Sequence, residues 1–214
     1  DAACIGAAAI TVVDAPDDVG RGASIAIGLD GYPMISYYDA TNTALKTAKC
    51  LDVACATPAT LWVVDSGGAD DVGQRTSIAV GVDGLPVMSY YDFTNLDLKV
   101  AHCSDSFCTA GTNSTLIVDG MGAALDVGQY NSIAIGTDGW PVVSYYNSTD
   151  SNLWVAKCGN SECSAPAPEK RVVDDAGCHL AGLAGPDVHP PAPLAPVELG
   201  VGVRMRRIAL EPGG

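Results

Sequence analysis

Apolar residues along this chain fall in short runs bounded by glycine, proline or aspartate. Ser24–Gly28 alternates small and β-branched residues, and Val87–Tyr91 is β-branched and aromatic. Runs of this length and composition are typical of β-strands with turns between them. No stretch combines helical periodicity with capping residues, so the pattern predicts an all-β protein.

One phrase occurs three times with small changes, at Ser24–Asp39, Ser77–Asp92 and Ser132–Asn147. The copies begin 53 and 55 residues apart. Self-similarity at a fixed period of this length is the signature of a repeat architecture, in which each repeat is one supersecondary unit. The chain is therefore expected to be a single array of similar units.

Each unit contains four predicted strands. The phrase supplies two strands joined at an Asp-Gly pair, which is a strong hairpin signal (Asp30-Gly31, Asp83-Gly84, Asp138-Gly139). A leucine-containing run and a β-branched run closed by aspartate supply the other two, for example Ala44–Cys50 and Leu61–Asp65. Four antiparallel strands in a unit of this length predict a β-propeller blade.

The repeat divides the chain into three blades, 15–66, 67–120 and 121–177. Residues 1–14 match the end of a unit, which predicts the last strand of an incomplete blade. Residues 178–214 carry no repeat marker and are rich in proline, which predicts an irregular tail. Two interpretations of the tail stay open: a genuine segment that docks on a partner, or the product of truncation or a frameshift.

Three blades and one strand do not suffice to close a propeller, which typically has about four to eight blades. Terminal repeats otherwise expose apolar faces that need a cap. Either copies of the chain self-associate, as a homo-oligomer or filament, or the tail supplies the missing strands, and the sequence favours self-association. A surface glycan or another protein is the alternative partner.

The eight cysteines indicate the compartment. Six form in-phase Cys-x4-Cys pairs, whose spacing suits disulfides across adjacent strand ends better than zinc knuckles (Cys50–Cys55, Cys103–Cys108 and Cys158–Cys163). Cys4 and Cys178 remain, and either pair with each other or stay single. Disulfides persist in oxidising compartments, so an extracellular or cell-surface location is expected.

Charge and hydropathy exclude two classes of partner. The net charge of −14 opposes binding to a phosphate backbone, so no nucleic-acid partner is expected. No apolar stretch approaches the length of roughly 18 residues that a membrane-spanning helix needs. The acidic composition suits a soluble protein outside the cell.

The phrase Ser-Ile-Ala-x-Gly-x-Asp-Gly-x-Pro, continued by Ser-Tyr-Tyr-Asp, resembles the "SIAxDxxGxPxISYYD" repeats of large secreted bacterial proteins. The resemblance covers roughly residues 1–177 and is specific within each repeat. It implies a β-propeller-like fold and an extracellular or surface setting, and it implies no particular activity. The Cys-x4-Cys step departs from the plainest form of that repeat.

The tyrosine pairs are the strongest candidates for a binding site. The candidate ligand-binding residues are Tyr38, Asp39, Tyr91, Asp92, Tyr146 and Asn147. An aromatic ring beside a carboxylate or amide suits carbohydrate stacking and hydrogen bonding. The alternative is that both tyrosines of each pair form inter-blade core with satisfied hydroxyls.

No catalytic residue, metal site or cofactor is predicted. His102 occupies the repeat position of Lys49 and Lys157 and is expected to point to solvent. Cys178, His179 and His189 lack a fourth zinc ligand. Calcium is a weak prospect at acidic loops, since aspartate often simply begins a turn (Asp17, Asp18, Asp70, Asp71, Asp126).

These observations favour an extracellular binding or structural module, active in surface adhesion or self-assembly and not an enzyme. A carbohydrate-binding lectin is the first alternative. A glycosidase or lyase is the second, because a propeller can place paired carboxylates near its axis. The aspartates keep the repeat symmetry, however, which favours structural roles at turns and strand ends.

Overall fold

The computed structural model describes residues 10–109, 113–120, 125–164, 169–174 and 177–180. The chain divides into two compact units, 1–182 and 183–214, and every described residue belongs to the first. The described residues form strands, turns and irregular segments and no helix.

Thirteen strands form three separate sheets in the described part of the chain. The first sheet contains β1 (Val19–Ile27), β2 (Pro33–Asp39), β3 (Ala44–Lys49) and β4 (Thr60–Asp65). The second contains β5 (Val72–Val80), β6 (Pro86–Asp92), β7 (Asp97–His102) and β8 (Ser114–Asp119). The third contains β9 (Val127–Ile135), β10 (Pro141–Asn147), β11 (Asn152–Lys157), β12 (Glu169–Asp174) and β13 (Gly177–Leu180).

The strands of each sheet are antiparallel and follow one another in chain order. The first strands of successive sheets, β1, β5 and β9, lie beside one another. This is the arrangement of propeller blades, with the innermost strands adjacent, and it confirms the predicted all-β, blade-like fold. The three sheets do not close into a ring.

The Asp-Gly hairpins form by a longer turn than the two-residue type that the pair usually signals. Five residues separate β1 from β2, and the Gly28 N–H donates to the Tyr32 carbonyl at 2.9 Å. Gly31 has φ of 80°, the left-handed conformation that favours glycine. The Asp30 carboxylate accepts the Tyr32 N–H and therefore acts as a turn residue.

Successive blades pack face to face. We call the face of a blade toward the preceding blade its upstream face, and the other its downstream face. Leu45 on the downstream face of the first blade packs with Val72, Ile78 and Tyr90 on the upstream face of the second. The second and third blades repeat this core at equivalent positions. Each blade therefore buries its apolar residues against a neighbouring blade.

The three predicted disulfides are confirmed. Each joins cysteines five positions apart, with Cα–Cα distances of 4.9 Å for Cys50–Cys55, 4.8 Å for Cys103–Cys108 and 4.7 Å for Cys158–Cys163. Each bridge lies directly after the third strand of its blade. The bridges indicate an oxidising environment. Cys4 and the Cys178 side chain lie outside the described residues, so their pairing stays a prediction.

Two expectations about the chain ends differ from the structure. Residues 10–14, predicted to be part of a strand, belong to no strand, and residues 1–9 lie outside the described part. The irregular tail was expected to begin at 178, but Gly177–Leu180 forms β13, which pairs antiparallel with β12. The open edge of β12 supplies backbone partners for this segment. Residues 181–214 are not described.

A glycine pair tests how tightly the blades fit. Gly73 and Gly20 occupy equivalent positions with φ of 92° and 93°. A Cβ at Gly73 would lie 2.6 Å from the Leu45 Cα, whereas one at Gly20 meets no atom within 4 Å. Because the backbone strain is the same in both, we expect Gly73→Ala to reduce the free energy of unfolding by about 1–3 kcal/mol more than Gly20→Ala. Urea denaturation of both variants measures the difference, and equal losses would contradict this packing.

Candidate functional site

The second tyrosine of the first two pairs bridges two blades. The Tyr38 hydroxyl donates to Asp71 of the next blade at 2.7 Å, and the Tyr91 hydroxyl donates to Asp126 at 2.8 Å. Both tyrosines are buried. Burial and the bond to Asp71 raise the pKa of Tyr38 to about 12. These side chains therefore serve inter-blade packing, and Tyr38 also lines an open cavity with Asp71, Gln74 and Arg75.

Tyr146 occupies the same position in the third blade and differs from both. It is half-buried, and its hydroxyl has no hydrogen-bond partner among the described residues. Its ring makes an edge contact with Tyr130 at a centroid distance of 6.4 Å. The difference arises because no further blade follows it within the described part of the chain.

The first tyrosine of each pair contacts the blade before it. The hydroxyls of Tyr37, Tyr90 and Tyr145 each donate to an aspartate at 2.7 Å, and the acceptors are Asp14, Asp65 and Asp119. Each acceptor is the aspartate that closes the β-branched run of the preceding unit. In the sequence these aspartates only close β-branched runs, and the structure adds their role as inter-blade acceptors.

A lysine completes each of these contacts. Lys46 donates to Asp14 at 2.7 Å, and Lys99 donates to Asp65 at 2.6 Å. In the third blade Trp154 occupies the equivalent position, and Lys170 of β12 bonds Asp119 instead. We call the three groups the Asp–Tyr–Lys clusters: cluster 1 is Asp14, Tyr37 and Lys46; cluster 2 is Asp65, Tyr90 and Lys99; cluster 3 is Asp119, Tyr145 and Lys170.

Clusters 1 and 2 hold their aspartates in the charged form. Burial alone would raise the pKa of Asp65, but hydrogen bonds from Lys99 and Tyr90 outweigh it and hold that pKa below its usual value. Asp14 behaves in the same way with Lys46 and Tyr37. Burial and the nearby carboxylate raise the pKa of Tyr90 well above its usual value. Clusters 1 and 2 are therefore mostly buried ion pairs with a neutral phenol as the third member.

The predicted ligand residues next to the tyrosines have structural contacts. The Asp39 carboxylate accepts the backbone N–H groups of Thr41 and Asn42 at 3.1 and 3.0 Å. Asp92 and Asn147 occupy the equivalent turns and accept the N–H groups there. All three are buried. These side chains stabilise the turn between the second and third strands of each blade, as aspartate and asparagine commonly do.

His102 is expected from the sequence to point to solvent, but its side chain is buried. It is 8% exposed, and its Nε2 lies 2.9 Å from Asp83 Oδ2. Lys49 at the equivalent position is also buried, and its Nζ lies 2.8 Å from Asp30. The Asp-Gly turn beside each residue supplies an acceptor, which explains why a polar side chain is buried there.

Two of the aspartates that are candidate calcium ligands accept hydrogen bonds from neighbouring side chains. Asp71 accepts hydrogen bonds from Tyr38 and Gln74, and Asp126 accepts them from Tyr91 and Gln129. Among the residues that the structure describes, no group of three or more His, Cys, Asp or Glu side chains could hold a metal ion. Within the same residues, no helix is long and apolar enough to cross a membrane.

The two ends of the array expose residues that are buried between blades elsewhere. Ile25 on the upstream face of the first blade is 60% exposed, whereas its counterparts Ile78 and Ile133 are 6% and 7% exposed. Leu153 on the downstream face of the third blade is 49% exposed, whereas Leu45 and Leu98 are fully buried. The end faces are therefore the surfaces of the described chain whose packing is incomplete.

Comparison with known proteins supports the fold and assigns no family. No protein-family model matches the chain, and no curated protein matches its sequence. A solved structure that resembles it is that of an alpha-L-arabinofuranosidase from Lactobacillus brevis, with a TM-score of 0.50 over 72% of this chain and 10% identity. The chain spans about half of that enzyme, 53% of its length. At this identity the likeness shows the propeller-like fold alone.

Cluster 2 is expected to contribute strongly to stability. Asp65→Ala leaves Lys99 and the Tyr90 hydroxyl largely buried without their acceptor, so we expect the free energy of unfolding to fall by about 3 kcal/mol. The matched control is Glu169→Ala, which removes an exposed ion pair with Arg171 and should have a much smaller effect. Urea denaturation measures both. Similar losses for the two variants would show that the cluster adds little.

The buried tyrosines predict a loss of stability at alkaline pH. The folded-state pKa of Tyr38 is raised to about 12, above the usual value of about 10. The folded protein thus keeps a proton that the unfolded chain releases. This contribution to stability is present below about pH 10 and is lost as the pH rises from about 10 to about 12. Tyr37, Tyr90, Tyr91 and Tyr145 shift in the same direction.

The measurement is denaturant unfolding at stepped pH values, together with phenolate absorbance of folded and denatured protein. We expect fewer ionised tyrosines in the folded protein than in the denatured protein at the same pH. Equal phenolate absorbance in the two states would contradict the burial of these hydroxyls.

Proposed function

We propose that the protein is an extracellular structural module that assembles with copies of itself, the downstream face of one copy packing on the upstream face of another. The observation that carries the proposal is the exposure of Ile25 and Leu153 at positions that are otherwise buried between blades. Exposed apolar residues on repeat ends favour association with a further repeat. In this proposal the protein acts by binding and not by catalysis.

The two end faces are complementary in shape. Inside the array, Leu45 lies against Gly73 and Leu98 lies against Gly128. Gly20 is the unoccupied equivalent, with no atom within 4 Å of an added Cβ. Leu153 of one copy is therefore expected to lie against Gly20 of a second copy. Such a contact joins two different surfaces, so it is heterologous and generates a ring or a filament.

Polar groups on the end faces match as well. Within the array the Ser24 and Ser77 hydroxyls accept the N–H groups of Ile78 and Ile133, both at 3.2 Å. Ser132 and the Ile25 N–H are the next pair in this series. Tyr146 and Asp18 continue the series of Tyr38–Asp71 and Tyr91–Asp126 bonds.

One polar pair is lost in this arrangement. Thr76 and Asn131 bond the serines Ser36 and Ser89 of the preceding blade. Ala23 occupies the same position in the first blade and has no polar side-chain atom to offer Ser144. The contact between copies should therefore be weaker than the contact between blades of one chain, in keeping with reversible assembly.

Self-assembly accounts for the tyrosines better than carbohydrate binding does. Tyr38 and Tyr91 are buried and bonded to the next blade. Only Tyr146 of the three predicted ligand tyrosines keeps a hydroxyl without a partner among the described residues, and it lies on the downstream end face. A second copy is the occupant that satisfies it. The disulfides support the extracellular part of the proposal.

The net charge of −14 sets the conditions for assembly. Like-charged copies repel one another at low ionic strength, and the repulsion is screened beyond about 8 Å at physiological salt. Light scattering across protein and salt concentrations should give a mass above the monomer value of 21.8 kDa that rises with both. The measurement is made under non-reducing conditions to keep the disulfides intact.

Variants on the end faces test the arrangement. Leu153→Lys or Ile25→Lys places an unpaired charge in the contact, so we expect assembly to require at least about tenfold more protein. Gly20→Ala should also weaken assembly. The control is Val53→Lys, which changes an exposed apolar residue in the Cys50–Cys55 loop. A mass of 21.8 kDa under all conditions, or an equal effect of the control, would overturn the proposal.

A further inference from the structure

We propose that Tyr37 and Lys46 form a binding site for the aspartate-closed outer strand of a second copy, in competition with Asp14 of the same chain. The inference rests on the proposed function, because it identifies the part of the second copy that docks there. The ligand class is an extended peptide in which two β-branched residues precede an aspartate.

The chemistry of the site occurs three times in the chain. In clusters 1 and 2 one carboxylate accepts a phenol hydroxyl at 2.7 Å and a lysine ammonium at 2.6 to 2.7 Å. Two β-branched residues precede the aspartate in each case, as in Val12-Val13-Asp14, Val63-Val64-Asp65 and Ile117-Val118-Asp119. The same surface of a blade therefore recognises the same short sequence each time.

The aspartate of cluster 1 is held differently from the other two. Asp65 ends β4 and Asp119 ends β8, and both strands are paired antiparallel with a neighbouring strand, with a register shift beside the aspartate. Asp14 lies in a segment with no strand pairing, and Ile10 and Val12 before it are 94% and 77% exposed. Fewer contacts oppose the removal of this segment than oppose the removal of β4 or β8.

The packing beside Asp14 is also incomplete. A cavity of 90 Å³ lies next to it, lined mainly by apolar groups that include Val13, Gly20, Ile35 and Ala48. In the second blade the equivalent residues Gly73, Met88 and Ala101 are covered by the preceding blade. The segment at 10–14 thus supplies the carboxylate of a preceding blade without supplying its apolar face.

An incoming outer strand would supply both. Its aspartate would accept the Tyr37 hydroxyl and the Lys46 ammonium in place of Asp14, while the rest of its blade fills the apolar cavity. Lys46 stays paired during the exchange, because Asp39 Oδ2 lies 3.5 Å from its Nζ. The site therefore has a charged partner for Lys46 in the occupied and in the exchanging state.

A labelled peptide tests the site directly. The probe carries the sequence of 169–174, the β12 strand that the third blade of a second copy would present, with a terminal amide so that no terminal carboxylate lies beside the Asp174 side chain. We expect this peptide to bind the Asp14→Ala protein at least about tenfold more tightly than the wild type, because the competing carboxylate is gone. Fluorescence anisotropy measures both affinities. Asp14→Asn serves as a second, isosteric variant, and circular dichroism establishes that each variant is folded.

Two controls make the test specific. A peptide with asparagine in place of Asp174 should bind at least about tenfold more weakly, since it loses a charge-assisted hydrogen bond. In the Asp14→Ala background, Lys46→Met should abolish binding, whereas Lys157→Met, which removes an exposed lysine paired with Asp138, should not. Equal binding by wild type and both Asp14 variants, or equal binding of the two peptides, would overturn the inference.

The outcomes separate this inference from the proposed function. Assembly that depends on Leu153 but is accompanied by no peptide binding would refute the Tyr37–Lys46 site and leave self-assembly standing. Peptide binding by a protein that stays monomeric under all conditions would refute self-assembly, and the second-copy inference with it.

Discussion

The structure depends on an aspartate side chain that projects from one blade and accepts hydrogen bonds from the next. Burying an aspartate without partners would be prohibitively costly, and a lysine and a tyrosine hydroxyl on the adjacent blade offset that cost. Because the acceptor and the donors belong to different blades, the charge is satisfied only when the blades pack in one relative position. Apolar residues such as Leu45 and Val72 then fill the space between the blades. The ion pair fixes the register, and the apolar contact supplies most of the stabilisation.

The third blade illustrates how strongly this constraint acts. Its sequence has Trp154 at the position that Lys46 and Lys99 occupy in the other blades. Asp119 nevertheless has a lysine partner, because Lys170 of β12 reaches it from another strand. The position of the positive charge in the sequence has changed while its position in space has been kept. A buried carboxylate that must be paired explains why the substitution is accompanied by this compensation.

Much of the fold could be predicted from the sequence. The repeated phrase, the in-phase cysteines and the turn residues indicated four-stranded blades and three disulfides, all of which the structure confirms. These features are local, so spacing within one unit reveals them. The contacts between blades were harder to predict, because Asp65 and Tyr90 lie 25 positions apart and belong to different units. The one sequence feature that could have indicated these contacts was the spacing of the aspartate and the lysine from the tyrosine pair within the repeat.

Each disulfide closes within a single blade, over a separation of five residues. A cysteine emerging during synthesis therefore meets its partner before the next blade exists, and the number of wrong pairings open to the chain stays small. The same locality holds over evolutionary time. Duplication or loss of a whole blade adds or removes a complete bridge and leaves every other bridged cysteine with its own partner. The length of the array can thus change by recombination without any reassignment of its covalent links.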